Sequence, residues 1–328
     1  MTSDPLTDGL VADRLRSDVD VMRDAVRGIA LRGTDRWTGP FPGLVATLAR
    51  LARVDLCLAR LVEGHADAMR ILDQADGTPR AGVYGVWASR SAGTGVRAVR
   101  KQHGWHLDGE CRFASGVDVI DRALLPGWVD DRTHLLFDVA ATEVAADRST
   151  WHTSAMDASR SFTVSVDAQA SGADVVGPPG FYLDRPGFAA GGLGVAAVWA
   201  GGARAVLEQV VGGLRRFTPT AHQLRRLGVM EQAVREAWSA VDATAHALPG
   251  LSGDRLVTET AWARTVVVTA CDRVVDEASR VVGPGGLSGS PRLSRTLGDL
   301  TIYVRQHHLD LTLEALGRDA LGSREVLG

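Results

Sequence analysis

Cysteine is scarce in this chain of 328 residues. The three cysteines, Cys57, Cys111 and Cys271, lie far apart and form no Cys-x-x-Cys pair. That spacing argues against a disulfide framework and against a zinc site built on thiolates. We expect ordinary, partly buried thiols and no metal site.

Long apolar runs and blocks of charge are also missing. No stretch of about 18 uncharged apolar residues is present that could span a bilayer, and Met1–Pro5 lacks the cationic start of a secretory signal. The formal net charge is only −3, and the basic residues are scattered. Neither nucleic acid nor a membrane is therefore an expected partner, and we expect a cytoplasmic protein.

The spacing of apolar residues changes twice along the chain. From about Thr7 to Leu72 they recur every three or four positions, as in helices. From about Gly77 to Asp184, short runs such as Leu135–Val139 and Phe162–Val166 alternate with glycine, proline and aspartate turns. This change predicts a β-domain after a helical start.

Helical spacing returns after Pro186. We predict helices over 187–211, 222–248, 257–282 and 293–321, separated by proline and glycine at 219, 249–250 and 283–286. Four long helices joined by short loops suggest an up-and-down bundle. The predicted fold class is α+β, with an N-terminal helical segment at 1–76, a central β-barrel-like domain at 77–185 and a C-terminal four-helix bundle at 186–328.

Three segments have a recognisable order and spacing. Leu107–Gly116 reads L-D-G-E-C-R-F-A-S-G and is followed by Asp121, Trp151–Ser161 reads W-H-T-S-A-M-D-A-S-R-S, and Arg295–His308 reads R-T-L-G-D-L-T-I-Y-V-R-Q-H-H. Over about residues 42–324 the chain resembles the acyl-CoA dehydrogenases. These are flavoproteins in which a carboxylate removes a proton from an acyl thioester. The resemblance implies their fold and a bound flavin.

The flavin implied by the resemblance is FAD, with FMN the less expected. Its isoalloxazine ring needs a flat apolar face together with backbone donors and acceptors, which strand ends supply. By resemblance, the ring would be lined by Trp87, Ala88, Ser89, Phe113, Ala114 and Ser115. Arg215 or Arg216 would hold the pyrophosphate with a planar guanidinium, and the loop from Arg280 to Gly283 would contact the nucleotide.

Two adjacent histidines, His307 and His308, are the candidate catalytic residues. Counting from Asp299, His307 falls where the family has its catalytic glutamate. Histidine can act as a general base near neutral pH. Successive helical residues point about 100° apart, so only one of the two is expected to face the site.

Departures from the family pattern leave three hypotheses open. The segment Ala88–Gly95 lacks the family's acidic residues and its first threonine, and Arg280 stands where the family has glutamine. The chain could be a flavin-dependent oxidoreductase acting on the CH–CH bond of an acyl thioester or a related substrate. It could instead be a monooxygenase that uses reduced flavin, or a non-catalytic member that acts as a binding or partner subunit.

The expected partner is a small-molecule substrate, possibly an acyl-CoA. Isologous packing of the helical bundle favours a homodimer or homotetramer. Other residues have simpler interpretations: His103 and His106 fit a hairpin better than a metal pair, and His65 fits core or surface packing. The glycines of Gly191–Gly194 do not follow a strand, so they indicate close helix packing and not a phosphate loop.

Overall fold

The structure is a computed structural model that describes residue 10, residues 12–33 and residues 35–322. The chain divides into two compact units. We call Met1–Pro40 with Cys57–Phe188 the strand unit, and Phe41–Leu56 with Ala189–Gly328 the helical unit. The expectation about a signal at Met1–Pro5 lies outside the described residues. The predicted three-segment division of the chain stays a prediction.

Five helices are described before the first strand. They are α1 (Ala12–Ser17), α2 (Val19–Ala30), α3 (Asp35–Thr38), α4 (Phe41–Val54) and α5 (Leu56–Gln74). The start of α2 is fixed by Asp18, whose carboxylate accepts from the backbone N–H groups of Asp20 and Val21 at 2.9 and 3.5 Å. Such a cap satisfies N–H groups that have no partner inside the helix.

The strand unit is built on one eight-stranded sheet. Its strands are β1 (Tyr84–Val86), β2 (Gly95–Lys101), β3 (Gly104–Ala114), β4 (Arg122–Trp128), β5 (His134–Ala140), β6 (Val144–Asp147), β7 (Phe162–Ala170) and β8 (Val175–Val176). The order is β6-β7-β3-β2-β4-β5-β8, and β1 pairs with β4. The β1–β4 and β2–β4 pairs are parallel, and the other pairs are antiparallel.

The pattern of buried and exposed side chains shows which faces of these strands lie against the core. In β7 every second residue from Phe162 to Ala170 is buried and those between are more exposed, so one face covers the core. In β5 the residues from His134 to Val139 are all buried, as expected for a strand covered on both faces. The predicted β-domain is therefore present, with runs at 135–139 and 162–166 as strands.

Among the described residues, six helices follow the sheet. They are α6 (Phe181–Asp184), α7 (Gly187–Leu214), α8 (Ala221–Ala247), α9 (Gly253–Gly289), α10 (Pro291–Tyr303) and α11 (Leu309–Gly322). Gly283 interrupts α9 with φ +61° and ψ −175°, next to Pro284. The predicted helix over 293–321 is wrong as one element, because a 3₁₀ turn at Val304–Gln306 and an extended His307 separate α10 from α11.

Helix α7 is the most apolar long helix among the described residues. Its length and composition would allow it to cross a membrane, but 78% of its most apolar 18-residue window is buried inside the protein. A buried core helix passes the same test. Burial by the chain itself is sufficient to explain its composition.

Candidate active site

The strand unit brings six of the sequence-predicted residues together. We call Trp87, Ala88, Ser89, Phe113, Ala114 and Ser115 the strand-end cluster, because they follow or end β1 and β3. The indole N–H of Trp87 donates to the backbone oxygen of Ser115 at 2.9 Å. The thiol of Cys111 lies 3.7 Å from the backbone oxygen of Ser89. This second contact also joins the segment after β1 to β3.

The residues of the strand-end cluster differ in how far they are exposed. Trp87 is 1% exposed and Ala114 is fully buried, whereas Phe113 is 50% exposed. The ring of Phe113 is held edge-on by Trp151, with ring centroids 6.4 Å apart. A ligand can therefore reach the ring of Phe113. Trp87 is buried and positions the backbone of Ser115 through its hydrogen bond.

Backbone strain is concentrated around the same cluster. Among the described residues, five that are not glycine have positive φ, and three of them are Phe113, Met156 and Arg160. The segments that carry them are joined by the Gly116 N–H, which donates to the Ser159 oxygen at 2.8 Å. Such backbone costs of order 1–3 kcal/mol per residue and is found most often at functional sites.

A chain of three serine hydroxyls begins at Ser115 of the strand-end cluster. The Oγ of Ser115 lies 2.8 Å from that of Ser161, which lies 2.7 Å from that of Ser159. The Ser159 hydroxyl donates to the backbone oxygen of Met156 at 2.6 Å. All three serines are buried. The sequence motif contained Ser159 and Ser161 but gave no signal that they contact Ser115.

The helical unit holds His307 in a second group, which we call the His307 cluster: Trp199, Arg264, Thr265, Tyr303 and His307. His307 is 8% exposed, and its Nε2 lies 3.3 Å from the hydroxyl of Thr265. The ring of Trp199 lies 6.3 Å from that of His307 and 6.0 Å from that of Tyr303. Arg264 stacks on Trp199 at 5.5 Å.

The break between α10 and α11 separates the two histidines. His307 points into the bundle, whereas His308 is exposed and its backbone oxygen accepts from Thr312 at the start of α11. Only one of the pair is thus directed inward, because the backbone at His307 is extended and not helical. That this residue faces the active site stays a prediction. Burial, with the charge of Arg264 and the neighbouring His308, lowers the pKa of His307 to about 4.

Glycine at position 192 makes room for the His307 cluster. A Cβ there would lie 2.9 Å from a guanidinium nitrogen of Arg264. This agrees with the expected role of the Gly191–Gly194 run in close packing. The indole N–H of Trp199 is fully buried and donates to no other described residue. A buried donor without a protein partner is uncommon, so this indole N–H is available to a polar atom of a small molecule.

His65 lies in the core of the strand unit. It is 1% exposed, its Nδ1 accepts from the backbone N–H of Tyr84 at 3.1 Å, and Trp37 packs edge-on at 6.1 Å. Tyr84 in turn donates from its hydroxyl to Asp138 at 3.1 Å. Core packing, the simpler interpretation of His65, agrees with these contacts. Burial lowers the pKa of His65 to about 4.

The low pKa of His65 predicts acid destabilisation. Unfolded histidine titrates near pH 6.5, so between about pH 6.5 and 4 the unfolded chain binds a proton that the folded chain excludes. Stability is complete above pH 6.5 and falls toward pH 4, by about 3 kcal/mol. The free energy of urea unfolding should therefore vary less with pH in His65→Gln, while His103→Gln in the exposed β2–β3 turn should match the wild type. Equal pH slopes in all three proteins would contradict the prediction.

The four predicted nucleotide contacts lie on the helical unit. The resemblance implies an arginine at the start of the second bundle helix, but Arg215 and Arg216 lie before it. They are exposed in the turn after α7, because Pro219 and the Thr220–Gln223 capping box start α8 at Ala221. Neither arginine forms an ion pair with another described residue.

Arg280 and Gly283 lie close together on α9. Arg280 is exposed and pairs with Asp276 at 2.9 Å. Gly283 has open space where a Cβ would stand, and the Gln223 amide donates to the neighbouring Val281 oxygen at 3.2 Å. The expected helix end at 283–286 is thus present as a kink within α9.

The helical unit also contains a cavity of about 790 Å³ between α4, α7 and α8. None of the sequence-predicted site residues lines it. Four arginines do: Arg50, Arg53, Arg204 and Arg235. Across the described residues, no group of three or more His, Cys, Asp or Glu side chains could hold a metal ion. His106 pairs with Asp167 at 2.8 Å at the hairpin formed by β2 and β3.

Comparison with known proteins gives the fold. No protein-family model matches this sequence, and no curated protein sequence matches it. The structure, however, is similar to dibenzothiophene monooxygenase (TdsC) from Paenibacillus sp. A11-2, with a TM-score of 0.80, 18% identity and 96% of each chain covered. It is also similar to butyryl-CoA dehydrogenase from Megasphaera elsdenii, with a TM-score of 0.75, 16% identity and 94% of this chain and 91% of that chain covered.

The chain has the acyl-CoA dehydrogenase fold. A further structure of this fold, XiaF from Streptomyces sp. in complex with FADH2 and glycerol, has a TM-score of 0.77 and 20% identity, and covers 98% of this chain and 93% of that chain. The predicted fold class is therefore confirmed. Within this fold, the strand-end cluster brings six sequence-predicted residues together, whereas His307 lies in a second cluster with Trp199, Arg264, Thr265 and Tyr303.

Proposed function

We propose that the chain is a flavin-dependent oxidoreductase acting on a small organic substrate. The observation that carries the proposal is the strand-end cluster, where an exposed aromatic ring, strained backbone and a buried hydroxyl meet. Proteins of this fold with low identity to this chain are described with FMN, in the case of TdsC, and with FADH2, in the case of XiaF. A bound flavin would supply the electron transfer that amino-acid side chains cannot.

The residues present fit an isoalloxazine ring. Phe113 offers a half-exposed apolar face, and the backbone groups at the ends of β1 and β3 offer donors and acceptors. For a pyrophosphate, Arg215 and Arg216 are two exposed guanidiniums without ion-pair partners among the described residues. We therefore propose FAD as the cofactor, with FMN the less expected.

The first candidate reaction is oxidation of a CH–CH bond next to a carbonyl, as in an acyl thioester. In this reaction His307 would take the α-proton onto Nε2, the nitrogen now near Thr265. A neutral imidazole is required, and His307 is neutral above about pH 5 because burial lowers its pKa to about 4. A base of so low a pKa is weak, since catalytic bases work best with pKa values near the operating pH.

The second candidate is a monooxygenase reaction that uses reduced flavin. The specific observation in its favour is the same low pKa of His307, together with the contact between its ring and the hydroxyl of Thr265. A neutral imidazole held by Thr265 and Trp199 can orient a polar substrate or donate a hydrogen bond without removing a carbon-bound proton. The unpartnered indole N–H of Trp199 would add a donor for a substrate oxygen.

We further propose that the protein assembles as a homodimer or homotetramer and works in the cytoplasm. The support for the assembly is that isologous packing of amphipathic helices favours closed assemblies, and the support for the location is that the three cysteines are free and buried, as is usual in a reducing compartment. Light scattering of the purified protein tests the assembly, and a monomer at micromolar concentration would contradict it.

The visible absorption spectrum tests the flavin. Purified protein is mixed with excess FAD or FMN and desalted, and the two bands of oxidised flavin are sought. A second sample is treated anaerobically with reduced flavin. Retained flavin in either state supports the proposal. Failure to bind flavin in both states overturns it and supports the third hypothesis, a non-catalytic binding or partner subunit.

A substrate panel separates the two reactions. Short, medium and long acyl-CoA esters are tested with an artificial electron acceptor, and aromatic heterocycles are tested with reduced flavin and oxygen. Dehydrogenation without oxygen identifies the first reaction. Incorporation of labelled oxygen into product, measured by mass spectrometry, identifies the second.

A further inference from the structure

We propose that the cavity between α4, α7 and α8 binds a small organic anion with a flat apolar body. We call it the arginine cavity, after Arg50, Arg53, Arg204 and Arg235, which line it. Its volume of about 790 Å³ lies within the range of about 300–1,000 Å³ that is usual for small-molecule sites. No residue of the strand-end cluster or the His307 cluster lines it, so the proposal goes beyond the proposed flavin chemistry.

Small residues create the space between the helices. On α4, Gly43, Ala46 and Ala49 line the cavity at intervals of three positions, which places them on one face of the helix. On α7, Ala200 and Gly201 line it as well. Side chains this short leave the gap unfilled, and they carry no polar group. The helices therefore enclose an apolar space that an apolar ligand can fill.

Trp238 of α8 supplies an aromatic surface to the same cavity. The residue is half-buried, and no ring contact or hydrogen bond joins its side chain to another residue in the described part of the chain. Aromatic rings bury large apolar areas and favour contact with other rings. A flat, aromatic body is therefore the shape of ligand that the apolar part of the cavity favours.

The charged groups of the cavity are cationic. Four arginines line it, and no carboxylate of the described residues does. Glu208 pairs with Arg53 at 2.7 Å and with Arg204 at 3.2 Å. Glu231 pairs with Arg204 at 3.5 Å and with Arg235 at 2.7 Å. Three guanidiniums thus share two carboxylates, which leaves a surplus of positive charge that does not titrate in the physiological range.

Arg235 has donors left for an anion. Its Nε donates to Glu231 at 2.7 Å, and its two terminal amino groups donate to no other residue that the structure describes. A guanidinium binds a carboxylate most strongly through two parallel N–H bonds. Arg235 and Trp238 are three positions apart on α8 and so lie side by side on the helix. One ligand can therefore place a carboxylate on Arg235 and its flat body on Trp238, whereas inorganic phosphate would leave the apolar space unfilled.

Binding of naphthoate, a flat aromatic carboxylate, tests the proposal. Calorimetry on the purified protein, with and without flavin, gives Kd for naphthoate, for the neutral naphthylmethanol and for inorganic phosphate. We expect naphthoate to bind with a Kd below about 1 mM, at least about tenfold more tightly than either of the other two compounds. Sodium chloride should weaken the binding, because exposed charges are screened by salt. Absence of naphthoate binding, or equal affinity for the neutral compound or for phosphate, would overturn the proposal and leave the flavin chemistry untouched.

Variants locate the bound naphthoate. Arg235→Gln should weaken its binding at least about tenfold, because the charged fork is lost. Arg318→Gln is the matched control: Arg318 also pairs with a glutamate four positions earlier, on α11, and its substitution should leave Kd within about threefold. Ala46→Phe fills the cavity and should abolish binding without removing a charge.

His307→Gln separates the arginine cavity from the His307 cluster. This variant should bind naphthoate as the wild type does, since His307 does not line the cavity. Melting temperatures show that each variant is folded. An unchanged Kd in folded Arg235→Gln, or loss of binding in folded His307→Gln, would overturn the proposal.

Discussion

Replacing Gly201 with alanine should lower the free energy of unfolding by about 2–3 kcal/mol, since overpacking of a close contact costs this much. Gly201 lies in α7, and a Cβ on it would clash with the backbone oxygen of Ala49 and stand 2.8 Å from the Cβ of Ala52. Both neighbours belong to α4, and a backbone oxygen cannot rotate away as a side chain can. The helices must separate, which removes packing along their length. Urea unfolding followed by circular dichroism measures the loss.

Gly212 provides the matched control on the same helix. It is exposed, and nothing lies within 4 Å of the position of its Cβ. Gly212→Ala should be neutral or stabilising by up to about 1 kcal/mol, because alanine favours helix more than glycine does. A Gly201→Ala protein as stable as Gly212→Ala would show that α4 and α7 are further apart than described.

Replacing His307 with glutamine should reduce turnover by about 10²- to 10⁴-fold, the range that one positioned acid–base group contributes. Glutamine can still form hydrogen bonds beside Thr265 but cannot exchange a proton near neutral pH. The measurement uses the best substrate found by the panel, and kcat is compared with bound flavin content to exclude loss of cofactor.

His308→Gln is the control for this experiment. His308 is exposed and adjacent in sequence, and its substitution should leave kcat within about threefold. Because the pKa of His307 is about 4, this residue is neutral from about pH 5.5 upward. Its titration should therefore cause no change in turnover above that pH. Loss of activity in His308→Gln, with His307→Gln unaffected, would exchange the roles assigned to the two residues.

Much of the fold follows from local patterns. Alternation at 162–166 and the apolar run at 135–139 predicted β7 and β5, and proline with glycine marked the ends of α7 and α8. The order of segments and the spacing of the Leu107–Gly116 motif pointed to the correct fold. These signals suffice because each reflects one face of one element packing on a core.

The errors arise where tertiary contacts outweigh local spacing. Val304–Gln306 contains neither glycine nor proline, so periodicity predicted a continuous helix; the chain instead leaves the helix there, with His307 packed beside Thr265 and Trp199. The sequence could not show that Trp87 is buried while Phe113 is exposed, because both are aromatic residues at strand ends. The contacts of Ser161 with Ser115 and Ser159 depend on the fold, which no motif reveals.

The scarce cysteines have a practical consequence. Cys57, Cys111 and Cys271 are all buried, and burial raises the pKa of Cys111 to about 11 and that of Cys271 further. Thiolate is the reactive form, so an alkylating reagent can modify these residues only when the chain opens locally. Cys57 and Cys111 belong to the strand unit and Cys271 to the helical unit. The alkylation rate of each thiol in the native protein therefore measures the free energy of opening of the unit to which that thiol belongs.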